Sequence, residues 1–557
     1  NGNFGAAVKE DGTVWTWGAN TKGQLGNGTT DSPKLNAIQV GSSGSNAMRI
    51  THGSVTNQDT GIQRVEFNNE LITNVLIAEN EEFHIFEDGI SLNQSFSLLP
   101  DSQEVKAGSV EYTSFNPNIA TVGKYTGIVT PVKGIYGTAI IIAKSDGYSS
   151  IIRVSIKPQD TDDVKSVAKP MVATGASHTI ALKYDGTVWT WGNNTNGQLG
   201  NNSTENSSSP VQVKSADGNG YLTNIIEISA GSGHNMALRN DGTVWTWGSN
   251  TYGQLGNGSS VNSMLPVQVK SADGNSFLTD IVQISAGYVH SMALKKDGTV
   301  LAWGRNDGGQ LGNNNTSNKS LPVQVKGGAS GSEYLTDVVQ VTAGNWHSMA
   351  LKANGTVYAW GWGQYGQLGN GYTTNSDDTD KYSYEKIYSA PVQVLNGAQT
   401  SETGYLKEVV QIDAMGGTGR AEKNRFGTSL AVTESKEVYG WGNSLYGALG
   451  VKSSIVSKPV RVGTDISNAV QVAGGGKSGS DDWHVNNIGN TGYTYILKED
   501  GTVSSLGYNV NGELGNGAKA STTAVQKVSN LTEIMQVAGS KNGNFGAAVK
   551  EDGTVWT

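Results

Sequence analysis

Four histidines, His178, His234, His290 and His347, recur 56 or 57 residues apart, each opening a short apolar run that ends in Ala-Leu. Imidazole near neutral pH can carry a proton or hold zinc. A catalytic group, however, is needed once, whereas a position repeated through equivalent units serves each unit. Thr428 and Tyr493 fill that position elsewhere, so the histidines are read as packing or hydrogen-bonding residues rather than a metal ring. Asp377, Asp378 and Asp380 lie in an insertion over residues 373–388. They lack the spaced ladder and terminal Glu of a defined calcium loop, which makes a solvated loop the expectation. Two neighbouring repeats carry longer loops at one place, with Arg420 and Arg425 in the first and Asp482, Trp483 and His484 in the second. Such loops emerge on one face, and an aromatic side chain among charges makes these five a candidate interaction patch. The plainer alternative is two loops covering one another. There is no nucleophile with a partnered base, no phosphate loop and no HExxH. Paired carboxylates for glycoside hydrolysis depend on a spatial distance that sequence does not report. Catalytic, cofactor and metal residues are therefore expected to be none, and the chain is expected not to be an enzyme.

The elements that would position these residues are set by an internal repeat. Gly-Thr-Val copies begin at Gly12, Gly186, Gly242, Gly298, Gly355, Gly501 and Gly553, with a diverged copy over residues 434–442. In the repeat at 241–258, Asp241-Gly242 predicts a two-residue type I′ hairpin turn. Thr243 to Trp247 then alternates, placing Trp245 and Trp247 on one face. These Trp pairs, like Trp189 and Trp191, are read as core rather than as a sugar-stacking platform. Gly-Gln-Leu-Gly follows, with Gln24, Gln198, Gln254, Gln310 and Gln367, then Pro-Val-Gln-Val at Pro210, Pro266, Pro322 and Pro391. The run Ile281-Val-Gln-Ile-Ser-Ala-Gly287 starts the next unit. About four short strands per repeat is one propeller blade.

The pattern Ala286-Gly-Tyr-Val-His-Ser-Met-Ala-Leu294, Asp297-Gly-Thr-Val, Trp303-Gly304 and Gly309-Gln-Leu-Gly312 resembles the regulator of chromosome condensation repeat family. That resemblance implies a seven-bladed β-propeller. It implies less about activity, since propellers host unrelated functions. Residues 61–158 lack Trp and the Asp-Gly-Thr hairpin. There, Tyr112 to Val122, Gly127 to Gly134 and Gly137 to Ile140 are similar to the bacterial immunoglobulin-like group 2 family, which implies a spacer or adhesive sandwich. The expected fold class is all-β: a seven-bladed propeller plus a small immunoglobulin-like β-sandwich. Expected domains are a blade at 1–53, the sandwich at 61–158, and propeller repeats at 169–557 with an incomplete last blade.

Composition bounds the function. Charged residues are 16%, glycines number 75, and there is no cysteine. Many short strands and turns suit that balance, and no disulfide framework or thiol chemistry exists. A net charge of −9 argues against a nucleic-acid groove, so the family's chromatin role is not carried over. No run of 18 apolar residues is present, so no membrane insertion is expected.

Residues 542–557 repeat residues 1–16 at all sixteen positions, offset by 541. Diverged repeats elsewhere differ at many positions. The expectation is a fragment of a periodic polypeptide, with Asn1, Phe4, Trp15, Asn542, Phe545 and Trp556 at an inter-unit junction. The expected function is the repeating structural unit of an extracellular bacterial filament or giant surface protein, partnered head to tail by its own copies. The alternative is an adhesin whose propeller face binds a host or cell-surface glycan or protein. A hydrolase or a nucleotide-exchange factor for a GTPase ranks below both.

Overall fold

The computed structural model describes residues 111–115, 120–125, 128–131, 137–145, 148–156, 168, 170–183, 185–328, 333–372, 387–397, 404–416, 427–476, 492–540, 546–550 and 555–556. It also gives strand backbone at 4–8, 14–18, 34–39, 63–66, 83–85, 90–91 and 96–99. Contacts divide the chain into two compact units, one of residues 1–132 and 141–159, the other of 133–140 and 160–557.

In the larger unit each repeat folds as one four-stranded antiparallel sheet. Blade 1 holds Met171–Thr174, His178–Leu182, Val188–Gly192 and Ser207–Gln212 in spatial order, here called strands a to d. Blades 2 to 6 begin with strands a at Ile225–Ala230, Ile281–Ala286, Val338–Ala343, Val409–Met415 and Ala469–Gly475. A seventh sheet has three strands: Ile534–Gly539, Gly546–Lys550 and Val555–Trp556. The expectation of seven blades is thus corrected to six complete blades, because no fourth strand pairs with Val555–Trp556 among the described residues. The ring nevertheless closes. Val172 N donates to Gln536 Oε1 at 2.8 Å, Gln536 Nε2 donates to the Val172 carbonyl at 3.2 Å, and Ser540 Oγ reaches the Gly175 carbonyl at 2.6 Å.

The hairpin chemistry also departs from expectation. Gly242 N donates to the Arg239 carbonyl, and Arg239 N donates to that of Thr243. This is a three-residue loop in which only Gly242 has positive φ, at 78°. A type I′ turn would need Asp241 there too. Instead, Asp241 Oδ1 accepts the Thr243 N–H at 3.0 Å and its hydroxyl at 2.6 Å, holding Asp241 in an Asx turn. The Gly242 carbonyl accepts Ile281 N, so each hairpin pins the first strand of the next blade.

Apolar cores lie between blades. Ile180, Leu182, Val188 and Val213 of blade 1 pack with Ile225, Ile228, Ala237 and Trp247 of blade 2, with Trp245 against the same cluster. Alternation along strands b and c supplies both faces of each sheet to these interfaces.

In the smaller unit Phe4–Val8, Val14–Gly18 and Lys34–Gln39 form one sheet. Another, whose strand Gly137–Ser145 belongs to this unit from Ile141 on, has the order Phe83–Ile85, Tyr148–Ile156, Gly137–Ser145, Glu111–Ser114, and a third the order Ile90–Ser91, Ile128–Pro131, Ala120–Val122. Gln63–Glu66 pairs parallel with Phe96–Leu99. Small sheets and a strand pair are what residues 61–158 show; an immunoglobulin-like sandwich is not shown by them.

Tight packing at the blade tops makes a direct prediction. A Cβ at Gly287 would run into the His290 ring and come within 2.5 Å of the Gly344 carbonyl oxygen. Gly287→Ala should therefore destabilise the propeller by about 2 kcal/mol, measured by denaturant unfolding. An unchanged midpoint would contradict this packing.

Candidate functional site

The repeated histidines sit at the seams between blades. His178, His234, His290 and His347 each open strand b and are at most 1% exposed. His234 Nε2 lies 3.0 Å from Ser291 Oγ of the next blade. Ser291 Oγ in turn donates to the Gln254 carbonyl at 2.8 Å, and Trp303 Nε1 donates to that same carbonyl at 2.9 Å. Because the serine hydrogen goes to Gln254, the imidazole must donate to the serine oxygen, which places its proton on Nε2.

The arrangement repeats with small variations. His178 Nε2 meets Asn235 Oδ1 at 2.9 Å, while Asn235 Nδ2 and Trp247 Nε1 both donate to the Gln198 carbonyl. His290 meets Ser348 and His347 meets Ser429, each at 2.9 Å. Ser348 with Trp360 shares the Gln310 carbonyl, and Ser429 with Trp441 shares that of Gln367. A buried serine beside a histidine invites comparison with a nucleophile and its base. Here the proton order is reversed, since the imidazole donates and the hydroxyl is spent on a carbonyl. The constellation is a clamp between blades. Blades 1 and 6 depart from it: in blade 6 Thr494 donates to the Ala448 carbonyl and Leu506 stands in the place of Trp, while in blade 1 Trp191 is only half-buried and no preceding blade brings a Gln carbonyl to it or to buried Thr179 among the described residues.

A second ring of bonds joins the inner strands. Gln283, Gln340, Gln411, Gln471 and Gln536 each accept, through Oε1, a backbone N–H of the next sheet: Val341, Ile412, Val472, Val537 and Val172. Glu227 holds the same position in blade 2 and accepts from Ile284, and burial pushes its carboxyl up to about 8. Sequence reading missed this ring, although its signal was present as the Gln inside each Val-Gln-Val, Val-Gln-Ile or, for Gln536, Met-Gln-Val strand. It also missed the Asn or Ser that partners each histidine, one residue after the His position (Thr428 in blade 5) of the following repeat.

The candidate patch of Arg420, Arg425, Asp482, Trp483 and His484 lies outside the described residues, as do Asp377, Asp378 and Asp380. Of the junction residues, Asn1, Asn542 and Phe545 also lie outside them, while Phe4, Trp15 and Trp556 are given as strand backbone. Among the described residues no three His, Cys, Asp or Glu side chains gather as a metal site.

The clamp sets an acid limit. With Nε2 committed, a second proton must go to a buried Nδ1, and burial holds His178 down to about 4 and His234 to about 3, the charge of His178 adding to the latter. The unfolded chain takes these protons near 6.5. Stability is therefore full above about pH 6.5 and is lost as pH falls toward 4, by on the order of 3 kcal/mol for each such histidine. Glu227 acts oppositely: its folded carboxyl binds a proton where the unfolded one does not, so its contribution declines as pH rises toward 8. Unfolding free energies across pH 4 to 9 should show both slopes, with His178→Gln flattening the acid limb and Glu227→Gln the alkaline one. Matching pH profiles for wild type and variants would contradict these assignments.

Comparison with known proteins agrees with this ring. The RCC1-like domain profile matches residues 148–479 and 222–557, and the regulator of chromosome condensation (RCC1) repeat matches residues 11–52. The ultraviolet-B receptor UVR8 of Arabidopsis thaliana is 28% identical over 378 residues, covering 62% of this chain and 78% of the receptor. The human E3 ubiquitin-protein ligase HERC2 is 32% identical over 222 residues, covering 40% of this chain and only 4% of the ligase. Among solved structures, Prp20p of Saccharomyces cerevisiae, described together with its binding to Gsp1p and histones, is 19% identical with a TM-score of 0.50, covering 69% of this chain and 83% of its own. Human WBSCR16 is likewise 19% identical at a TM-score of 0.50, covering 78% of this chain and 97% of its own. A carbonyl clamp repeated blade by blade in a closed β-ring, together with that profile match over most of the chain, makes this protein a member of the RCC1-like domain family.

Proposed function

We propose that this chain is a non-catalytic structural unit, repeated in series in an extracellular bacterial filament or giant surface protein. The observations carrying this reading are the identity of residues 1–16 with 542–557 and the clamp of blade 1, to which no Gln carbonyl comes among the described residues. Every other blade from 2 to 5 receives a Gln carbonyl from the loop after strand c of its predecessor. For blade 1 that predecessor is the three-stranded sheet, whose last strands carry the sequence of residues 1–16. After Thr16 the chain runs Trp17-Gly18 to Gln24 and then to the strand Lys34–Gln39, which pairs with Val14–Gly18 through Trp15↔Gln39 and Thr16↔Ile38. Counting the shared hairpin once, the two sheets hold the four strands of one blade, with Gln24 at the clamp position. A neighbouring unit would complete the ring by β-addition. Residues 61–158 would then be the spacer, in the immunoglobulin-like form their sequence resembles. The cysteine-free composition with few charged residues supports an exported setting.

A second reading is a regulatory protein-binding propeller, favoured by the similarity to UVR8, whose name describes a receptor. Capture of a partner by the propeller, with no self-completion, would support it.

The test extends the chain past Thr557 with a copy of residues 17–53. If the reading holds, the extended protein melts several degrees higher, and Trp191 emission shifts to the blue as its indole is buried. A control extension with Gly-Ser in place of 34–39 should show neither change. Equal melting for both extensions would contradict serial completion.

A further inference from the structure

Four consecutive blades expose one aromatic ring each at a single structural slot: Tyr221, Phe277, Tyr334 and Tyr405, at 55, 53, 46 and 46% exposure. Each lies in the connector from strand d to the next strand a. Each forms an isolated bridge back to the end of strand d, through Lys214, Lys270, Lys326 and Leu395 respectively. The following leucine, Leu222, Leu278, Leu335 or Leu406, is buried and donates its N–H to the carbonyl of the valine just after strand d. That leucine anchors the connector and leaves the ring beside it about half exposed, with Lys326 Nζ 4.3 Å from the centroid of the Tyr334 ring. The stretch between the bridging residues is nearly the same in blades 1 and 2 and then changes in sequence and lengthens in blades 3 and 4, yet the ring persists. Blades 5 and 6 have shorter connectors without an aromatic residue, so the rings form an arc on one side of the propeller. The connectors share a face with the hairpins, since Ile225, Ile281, Val338 and Val409 each donate to the hairpin of the preceding blade.

We infer that this arc binds a neutral polysaccharide of flat, all-equatorial pyranose rings, such as a β-linked glucan or chitin chain. A single exposed ring is unremarkable, but one ring per blade at constant exposure is a repeating site, and a repeating site suits a repeating ligand. The rings are separated by polar loops of Ser, Asp, Asn and Gly, so they offer no continuous apolar centre of the kind a protein partner covers. The face of a gluco-configured pyranose presents only C–H groups, which stack on an aromatic ring, while its edge presents hydroxyls. Acceptors for such hydroxyls are at hand: Asp217 and Asp273 are exposed in the first two connectors, oriented by Ser215 and Ser271 and by the N–H groups of Asn219 and Asn275. These carboxylates and the net charge of −9 disfavour an anionic polymer. Phe277 fills the slot without a hydroxyl, so stacking rather than a phenolic hydrogen bond is the common element.

The test uses the intact chain with cellohexaose and chitohexaose in calorimetry, and with microcrystalline cellulose and chitin in sedimentation. Binding to at least one of them is expected, unaffected by added salt. Each single Ala substitution at the four positions should weaken hexasaccharide binding roughly threefold to tenfold, and the quadruple variant should lose retention on the solid polymer. Exchanging Tyr221, Tyr334 and Tyr405 for Phe should preserve binding, whereas Leu should not, and all variants should keep the wild-type melting temperature. Failure to bind any of the four probes would overturn the proposal, as would full retention by the quadruple variant. Self-association abolished by the quadruple change would instead make the arc a contact between copies, and would equally overturn it.

Discussion

One main-chain carbonyl at each of four consecutive seams carries this architecture. In blades 1 to 4 the Gln carbonyl after strand c takes two donors from the next blade, an indole N–H and a serine hydroxyl or asparagine amide. A buried carbonyl left unpaired would cost more than a formed hydrogen bond contributes, so each blade needs its successor. The histidine then orients the second donor, and the glycine beneath it gives the imidazole room. Apolar burial between sheets supplies most of the cohesion; the clamp fixes which blade sits where and at what register.

That dependence makes closure the governing problem. A ring of sheets leaves no free seam only if the last sheet engages the first. Here the inner strands do so through Gln536 and Ser540, while the seventh sheet shows three strands among the described residues. The innermost contact therefore closes the ring among the described residues. The same geometry explains why the repeated histidines do not form a site: each is occupied by its own seam.

Much of this was legible in the residues. The Asp-Gly-Thr hairpin, the Trp-Gly strand and the Gly-Gln-Leu-Gly corner place blades and boundaries, because turn chemistry and period-two alternation are local. The hairpin type was misread, because Asp-Gly favours a type I′ turn in isolation, whereas the Asp241 carboxylate captures Thr243 and shifts the turn by one residue. The seven-bladed total came from the family resemblance, whereas the described residues show six four-stranded blades and a three-stranded seventh sheet, because a hairpin motif marks two strands, not four. The clamp partners were invisible for a different reason. Asn235 and Ser291 are unremarkable polar residues until a seam, which no single repeat contains, brings a histidine and a carbonyl to them.

If the carbonyl clamp governs the ring, the indole N–H groups of Trp247, Trp303, Trp360 and Trp441 report on it most directly. Native-state hydrogen exchange followed by NMR should find all four protected to the same free energy, equal to that of global unfolding, because no seam opens alone. Trp191 should exchange far faster. Exchange of the four at separate, low free energies would show that seams open independently and that the clamp does not hold the ring.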